Sequence, residues 1–467
     1  MSKKAFLKAA TLKVADEKHR QTIAFNMGKY DAAVAKGKQN YLNLPAARRY
    51  AKNIKWQAIE NLPQYLTQFE RNFTQRGGKV IWAETAQQAA EAVLQILQQH
   101  NVKGVVKSKS MATEEIHLNE RLEQSGITVF ETDLGEFIVQ LSGEKPYHIV
   151  TPAMHKSRAD VALLFNRLFN TPLTATAEDM TQTARRQLRP QYTQCEAGIT
   201  GANFLLADIG AIAITENEGN ARLTTALPRI HIVIAGIEKV LPSVKDLAHF
   251  WPLLATHGTG QQVTVYNTIL TGPKQVPETE GPEAMYVILL DNGRSAMLAN
   301  PKLRQALYCI RCGACLNACP VYRQVGGHTY QSAYSGPIGS VIAPYIGTPK
   351  ERNHYQHLSH ASSLCGRCTE VCPVNIPLHQ LLLYNRHKMA AAGAATFTER
   401  LAWALWKKAM LNPNLLRATE NSTGSRLFRA VFGRMWGRQR SLPQLPPKSF
   451  NTIWQEQQTK YNTANNG

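Results

Sequence analysis

The chain has 467 residues, 44% of them hydrophobic, which is enough for two or three domains with their own cores and too apolar for a disordered chain. Its net charge is +20, yet +9 of this falls in residues 1–60 and +10 in residues 373–467, so the middle is nearly neutral. The charged start "MSKKAFLKAATLKVADEKHR" lacks the apolar core of a signal peptide, and no run approaches the ~18 apolar residues of a membrane span. These features predict a soluble cytoplasmic chain with basic ends that dock on something acidic. Nucleic acid is not expected, because no helix-turn-helix, zinc-finger or RNP pattern accompanies the charge. A partner subunit or the anionic inner face of a membrane suits it at least as well, and plain solvated helix faces are the alternative.

In chain order, residues 1–75 read as a basic helical region in which Pro45 and Pro63 break the run. Residues 76–297 read as an α/β open-sheet domain. Gly77-Gly78 turns into a strand over Lys79–Ala83, and Thr85 caps a helix that reaches His100. "VKGVVKS" is the next strand. Thr113 caps a helix through "EEIHLNERLEQSG", closed by Gly126, and "ITVFETD" and "HIVTPA" are a third and a fourth strand. This alternation predicts a parallel sheet. Residues 176–197 are helical, residues 198–243 are buried strands with tight turns, and "MYVILLDNGRS" is a last strand and turn. Residues 298–385 carry the cysteines in short helices and loops. Residues 386–467 are again basic and helical, and an irregular tail begins at "LPQLPPKSF".

Of eight cysteines, seven lie between positions 309 and 372. Cys309, Cys312, Cys315 and Cys319-Pro320 form C-x2-C-x2-C-x3-C-P, whereas Cys365, Cys368 and Cys372-Pro373 form C-x2-C-x3-C-P, one cysteine short. This is the two-cluster ferredoxin spacing, in which the last cysteine of each run ligates the other run's cluster. It predicts two [4Fe–4S] clusters. Cys309, Cys312, Cys315 and Cys372 would hold cluster 1, and Cys319, Cys365 and Cys368 cluster 2. On the near side of the short run, the missing ligand's position falls on Ser362; the iron left there would carry a serine oxygen, water or a partner's ligand, or be lost. Zinc is the rival metal, but four cysteines in one loop and C-P closing both runs is not a zinc-ribbon spacing. Cys195 stands alone and reads first as a small buried hydrophobe, with the absent eighth ligand or a reactive thiol as the alternatives.

The chain resembles the LutB/LldF-like iron–sulfur proteins of bacterial lactate utilisation. The resemblance is carried by "VVKSKSMATEEIHLNERL", "ETDLGEFIVQ", "HIVTPAMHK", "GITGANFLLADIGAIAITENEGNARL", "GPEAMYVILLDNGRS", "CIRCGACLNACPVYRQVGGHTY", "YSGPIGSVIAP" and "SSLCGRCTEVCPVNIPLHQLLL". It implies an α/β domain similar to sugar-phosphate isomerase and CoA-transferase-like sheets, fused to a two-cluster ferredoxin-like domain. It also implies a part in oxidising L-lactate to pyruvate within a three-protein system, with an electron acceptor yet to be identified. The seven-cysteine pattern is the family's own.

Other residues suit an anion. Lys107, Ser108, Lys109 and Ser110 lie where a strand meets a helix start, and Asn217, Asn220 and Arg222 could present amides and a guanidinium to a carboxylate. Ordinary polar turns explain both segments nearly as well. Asp208, within an apolar run, calls for a buried partner. His155 and Lys156 read as a base and anion clamp or as structural, and His328 as a non-cysteine cluster ligand. "GGHTY" and "YSGPIG" read as a loop over the clusters. No dinucleotide or ATP motif is present, and no residue set would abstract hydride from lactate unaided, so catalytic residues stay unassigned. The leading function is electron transfer in lactate oxidation. The alternatives are an α/β domain that itself turns over a 2-hydroxy acid, and a nucleic-acid-associated iron–sulfur protein.

Overall fold

Strands with unbroken apolar runs form the centre of the protein, because both faces of the sheet they build are covered. In this computed structural model, the described residues are 3–393, 397–412, 441–442 and 446–465, with single positions at 426, 429–430 and 433. The strands run β1 (Lys79–Ala83), β2 (Gly104–Lys107), β3 (Thr128–Glu131), β4 (Ala197–Gly201), β5 (Phe204–Leu206), β6 (Ala211–Glu216), β7 (Ile230–Gly236), β8 (Val240–Leu241), β9 (Tyr266–Leu270) and β10 (Ala284–Leu290). Six of them make the expected parallel sheet, in the order β1-β10-β7-β4-β2-β3.

The two-residue period of a strand sorts its side chains between cores. Tyr286, Ile288 and Leu290 of β10, with Ile230, Ile232 and Ile234 of β7, pack under the helix Ala86–Gln99. Met285, Val287 and Leu289, with Val233 and Ala235, face the other way. They join the core that also contains Cys312, Cys315, Cys319 and Cys372. Near the far edge, Val106 of β2 meets Phe137, Phe165 and Met180 from the helices Leu134–Leu141, Arg158–Phe169 and Ala177–Gln194. The α/β part and the cysteine segments therefore share one hydrophobic core. The described residues up to His387 form one compact unit, and those from Lys388 form a second.

The N-terminal region is helical, as expected, over α1 (Lys3–Ala15), α2 (Glu17–Lys38), α3 (Leu44–Glu60) and α4 (Leu62–Thr74). Pro45 and Pro63 open α3 and α4 rather than merely interrupting a helix, since the first turn does not need their N–H groups. Part of the basic charge here is used internally. Arg48 donates to the carbonyl of Cys372 (2.9 Å), and buried Lys55 donates to that of Glu238 (2.5 Å).

Four local expectations change. "HIVTPA" is a loop, because the His148 ring accepts the N–H groups of Val150 (3.1 Å) and Thr151 (3.2 Å) that a strand would offer to a ladder. The helix after β2 is capped by Ser110, not Thr113, and breaks at His117, whose φ is +53°. A second, mixed sheet, β8-β5-β6-β9, covers the first and takes up the short strands of residues 204–241. The tail contains a helix, Phe450–Asn465, where an irregular segment was expected. Residues 413–425 and 434–440 of the expected basic helical end lie outside the described residues. Among the described residues no helix is long and apolar enough to cross a membrane.

Gly198 of β4 lies against the helix Asn220–Ala226, where an added Cβ would sit 2.0 Å from the carbonyl oxygen of Thr224. Because that atom is backbone, Gly198→Ala is expected to cost about 1–3 kcal/mol in urea denaturation. Gly28→Ala, on an exposed part of α2 with nothing within 4 Å, is expected to be neutral or stabilising by up to about 1 kcal/mol.

Candidate metal centre and the adjoining cavity

The two cysteine runs repeat one backbone frame. Arg311 and Leu364 hold left-handed φ values of +61° and +55°, and Gly313 and Gly366 follow at +78° and +82°. One-turn helices begin next, at Ala314–Asn317 and Arg367–Glu370. Two left-handed residues flanking a cysteine curl each loop so that its amides point inward. Gly313 is confined by Val150 and His148 of the loop first expected as a strand, so that loop lies over the first cysteine run.

Cys309, Cys312, Cys315 and Cys372 line one small cavity with Ile149, Ile338 and Val374. Burial pushes Cys372 up to about 11 and Cys312 and Cys315 above their ordinary range, and the neighbouring sulfurs add to this. Cys319, Cys365 and Cys368 form a second electrostatic group. Burial again dominates, taking Cys368 to about 11, and Cys319 and Cys365 reinforce it. All are free thiols, and Cys365 is the exposed one. The N–H of Arg311 donates to Cys309 Sγ, and that of Ile376 to Cys372 Sγ, each at 3.4 Å. The amide of Ile338, within "YSGPIG", favours the thiolate of Cys315. Crowded buried thiols served by amides fit iron–sulfur clusters, whose iron would stabilise the thiolates that burial alone disfavours.

Beside the first cysteine run is a chain of buried charges. Arg294 grips Glu115 with two bonds of 2.8 Å and donates to Glu238 at 2.5 Å. Arg311, between Cys309 and Cys312, reaches Glu238 at 3.2 Å and lies 4.3 Å from the Tyr334 ring centre. Burial would raise Glu238, but Arg294 and Arg311 hold it at about 2. Arg294 would likewise be depressed by burial, yet Glu115 and Glu238 keep it charged.

A cavity of about 380 Å³ opens at the carboxyl ends of β2, β4 and β7, where open α/β sheets place their ligands. It is lined by Ser108, Lys109, Ser110, Asn217 and Asn220, and also by Lys239, Arg311 and Cys312. Lys107 and Arg222 do not line it. Lys107 is fully buried, 2.8 Å from Glu131, 3.4 Å from Glu114 and 3.9 Å from Glu136. Burial would lower its pKa, but these carboxylates outweigh burial and hold it charged. Arg222 lies over the Tyr266 ring at 6.0 Å. The Asn217 side chain accepts from Gln261 (2.9 Å) and from the N–H of Val265 (3.2 Å), and Lys109 donates to Asp133 (3.0 Å) and to the carbonyl of Val150 (2.9 Å). Lys239 makes no side-chain hydrogen bond or ion pair with another described residue. Burial, helped by Arg311, brings its pKa down to about 8.

Sequence reasoning missed Lys239, Arg311 and the Glu115–Arg294–Glu238 chain. The available signal was the Glu-Lys pair inside "HIVIAGIEKVL", of the same kind that singled out Asp208. Asp208 is structural: it accepts from Ser243 Oγ (2.7 Å) and from the N–H of Val244 (3.0 Å). His155 and Lys156 both pair with Glu144. His328 faces the carbonyl of Lys145 (2.7 Å) and the ring of His155, while Cys195 packs in the core on the far edge of the sheet.

Because Lys107 neutralises carboxylates that are themselves buried, Lys107→Met is expected to destabilise the fold by about 3–5 kcal/mol in urea denaturation. Lys239→Met, which breaks no pair, is expected to leave stability within about 1 kcal/mol of wild type or to raise it.

Two family models match the chain: a LUD domain over residues 66–290 and a 4Fe-4S dicluster domain over residues 305–376. Lactate utilization protein B of Bacillus velezensis is 43% identical over 372 residues, covering 79% of this chain and 77% of that protein. The protein of the same name from Bacillus subtilis is 44% identical over 357 residues, covering 76% and 74%. Among solved structures, a duf162 family protein from Deinococcus radiodurans aligns over 49% of this chain and 98% of its own, with 15% identity and a TM-score of 0.28.

Proposed function

We propose, from the premise that this chain belongs to the lactate utilization protein B family, that it is the iron–sulfur electron-transfer component of a system oxidising L-lactate to pyruvate. The observation that carries this reading is the sorting of seven cysteines into one group of four and one of three, each drawing on both runs. Cys309, Cys312, Cys315 and Cys372 would hold cluster 1, and Cys319, Cys365 and Cys368 cluster 2. When bound, the clusters supply one-electron redox chemistry. The chain's own residues set their surroundings: Ile149, Ile338 and Val374 exclude water, and the amides of Arg311, Ile338 and Ile376 stabilise thiolate charge. Electrons from lactate would arrive at one cluster and leave from the other. Exposed Cys365 favours cluster 2 as the side facing a further carrier. The basic ends, with exposed Trp403 and Trp406 on the helix Phe397–Met410, suit docking on the system's other components or on an anionic membrane face.

Anaerobically reconstituted protein is expected to contain iron and acid-labile sulfide for two cubanes; stoichiometric zinc without sulfide overturns the reading. Cys372→Ser is expected to alter the electron paramagnetic resonance signal that Cys309→Ser alters, and Cys319→Ser the signal that Cys365→Ser alters. Pairing of Cys372 with Cys365 instead would overturn the crossed assignment.

A second reading rests on the cavity. Ser108, Ser110, Asn220 and Lys239 converge on a space that also reaches Arg311 and Cys312, as a carboxylate substrate handing electrons to cluster 1 would require. With its partner proteins present, Lys239→Ala together with Ser110→Ala is then expected to slow lactate-dependent cluster reduction roughly tenfold or more, the scale of a lost charge-assisted hydrogen bond. Both cluster signals should persist. Unchanged reduction would leave the cavity without a substrate role.

A further inference from the structure

We propose that Ser362 Oγ is the fourth protein ligand of the second cluster, binding the iron that no cysteine of this chain reaches. This rests on the two-cluster reading above and carries it to a residue outside the cysteine set.

The argument begins with the repeated backbone frame. Leu364 matches Arg311, Gly366 matches Gly313, and Cys365, Cys368 and Cys372 match Cys312, Cys315 and Cys319. At the same offset Ser362 matches Cys309. The match extends to hydrogen bonding. The N–H two residues after Cys309 donates to Cys309 Sγ at 3.4 Å, and the N–H two residues after Ser362 donates to Ser362 Oγ at 3.1 Å. In the first run this amide serves a thiolate that lines the cysteine cavity. In the second run the same amide serves an oxygen in the corresponding place, and left-handed φ values at Arg311 and Leu364 aim both amides alike.

Three further observations agree. The hydroxyl of Ser362 accepts from the N–H of Leu364 and donates to no described residue. Its backbone is held, with the carbonyl accepting from Arg386 Nη2 at 2.6 Å while Arg386 Nε binds the carbonyl of Ser359 at 2.9 Å. The two other candidate ligands within the chain point elsewhere: His328 is bound to the carbonyl of Lys145, and Cys195 lies in the core beneath β2.

Ligation is a proton exchange without electron transfer. As the Fe–O bond forms, the hydroxyl proton leaves to solvent, to which half-buried Ser362 has access. The N–H of Leu364 remains to stabilise the alkoxide. An alkoxide is a harder and more basic donor than a thiolate and favours oxidised iron, so cluster 2 should have a lower potential than with four thiolates.

The test uses the full chain, reconstituted anaerobically, as wild type, Ser362→Ala and Ser362→Cys. Total iron, electron paramagnetic resonance of both clusters and the cluster 2 midpoint potential are measured before and after limited ferricyanide oxidation. Ser362→Ala is expected to lose one iron per chain on oxidation and give a three-iron cluster signal that wild type resists, with the cluster 1 signal unchanged. Ser362→Cys is expected to keep that iron and shift the cluster 2 potential upward. Ser362→Ala matching wild type in iron content and oxidation resistance, or Ser362→Cys leaving the potential unmoved, overturns the proposal while two clusters in wild type still uphold the electron-transfer reading. Wild type holding a single cluster overturns both.

Discussion

The rest of the structure depends on the buried charge chain Glu115–Arg294–Glu238–Arg311. Its members come from the helix after β2, the turn after β10, the turn after β7 and the first cysteine loop. Two guanidiniums and two carboxylates balance one another, which makes burying them tolerable, although desolvation absorbs much of the Coulombic gain. What the chain supplies is specificity. A fork-shaped guanidinium accepts carboxylates in only a few orientations, so the sheet ends and the cysteine loop are held in one register. Space is cleared for it as well, because a Cβ on Gly236 would fall 2.1 Å from Glu238 and 2.5 Å from Arg294. Arg311 also keeps a left-handed backbone that a long side chain seldom adopts, and its ion pair and its contact with Tyr334 offset that strain.

This junction explains why the α/β part and the cysteine segments do not behave as beads on a string. β10 places alternate residues in two different cores, and one of those cores includes the cysteines. Displacement of the sheet ends would therefore be felt at Arg311, and so beside Cys309 and Cys312. The cavity at the carboxyl ends of β2, β4 and β7 opens onto the same two loop residues, Arg311 and Cys312. Occupancy of that cavity by an anion would act on Lys239 and Arg311, two cations that interact with Cys309, and so on the local field of the first cysteine group.

Much of this was legible from the sequence, for identifiable reasons. Strands alternating with helices from Lys79 onward implied a parallel sheet, and an unbroken apolar run such as "MYVILL" is the pattern of a strand buried on both faces. Cysteine spacing encodes loop geometry directly, and both runs curl as their glycines suggest. The failures came where a side chain competes with the backbone. His148 takes amides that a strand would have used, and Ser110 caps a helix three residues before the residue chosen for that role. The lysines of "KSKS" look alike in sequence, yet Lys107 is the last residue of β2 and is buried against three carboxylates, whereas Lys109 lies past the end of the strand and lines the cavity. Glu115 and Arg294 were invisible because each stands in an ordinary polar turn or helix start, whereas Glu238 stood out as a charge within an apolar run; only the topology brings the three together.

The unequal cysteine runs acquire a physical meaning from this arrangement. Arg311, the residue before Cys312, is buried and tied to the sheet, whereas its counterpart before Cys365 is Leu364, with no charged side chain to anchor it. Correspondingly, Cys312 is buried and Cys365 is exposed. The first run is therefore the one fixed to the fold, and the second is the one facing outward, held instead through its backbone by Arg48 and Arg386. An oxygen at the Ser362 position falls on the outward side of this gradient, where solvent can take up a proton and where polarity costs least. The same oxygen in place of Cys309 would sit beside Lys55, Lys239 and Arg311, which would draw its electron density away from iron. The shortage of one thiolate thus lies in the run whose surroundings can best accommodate it.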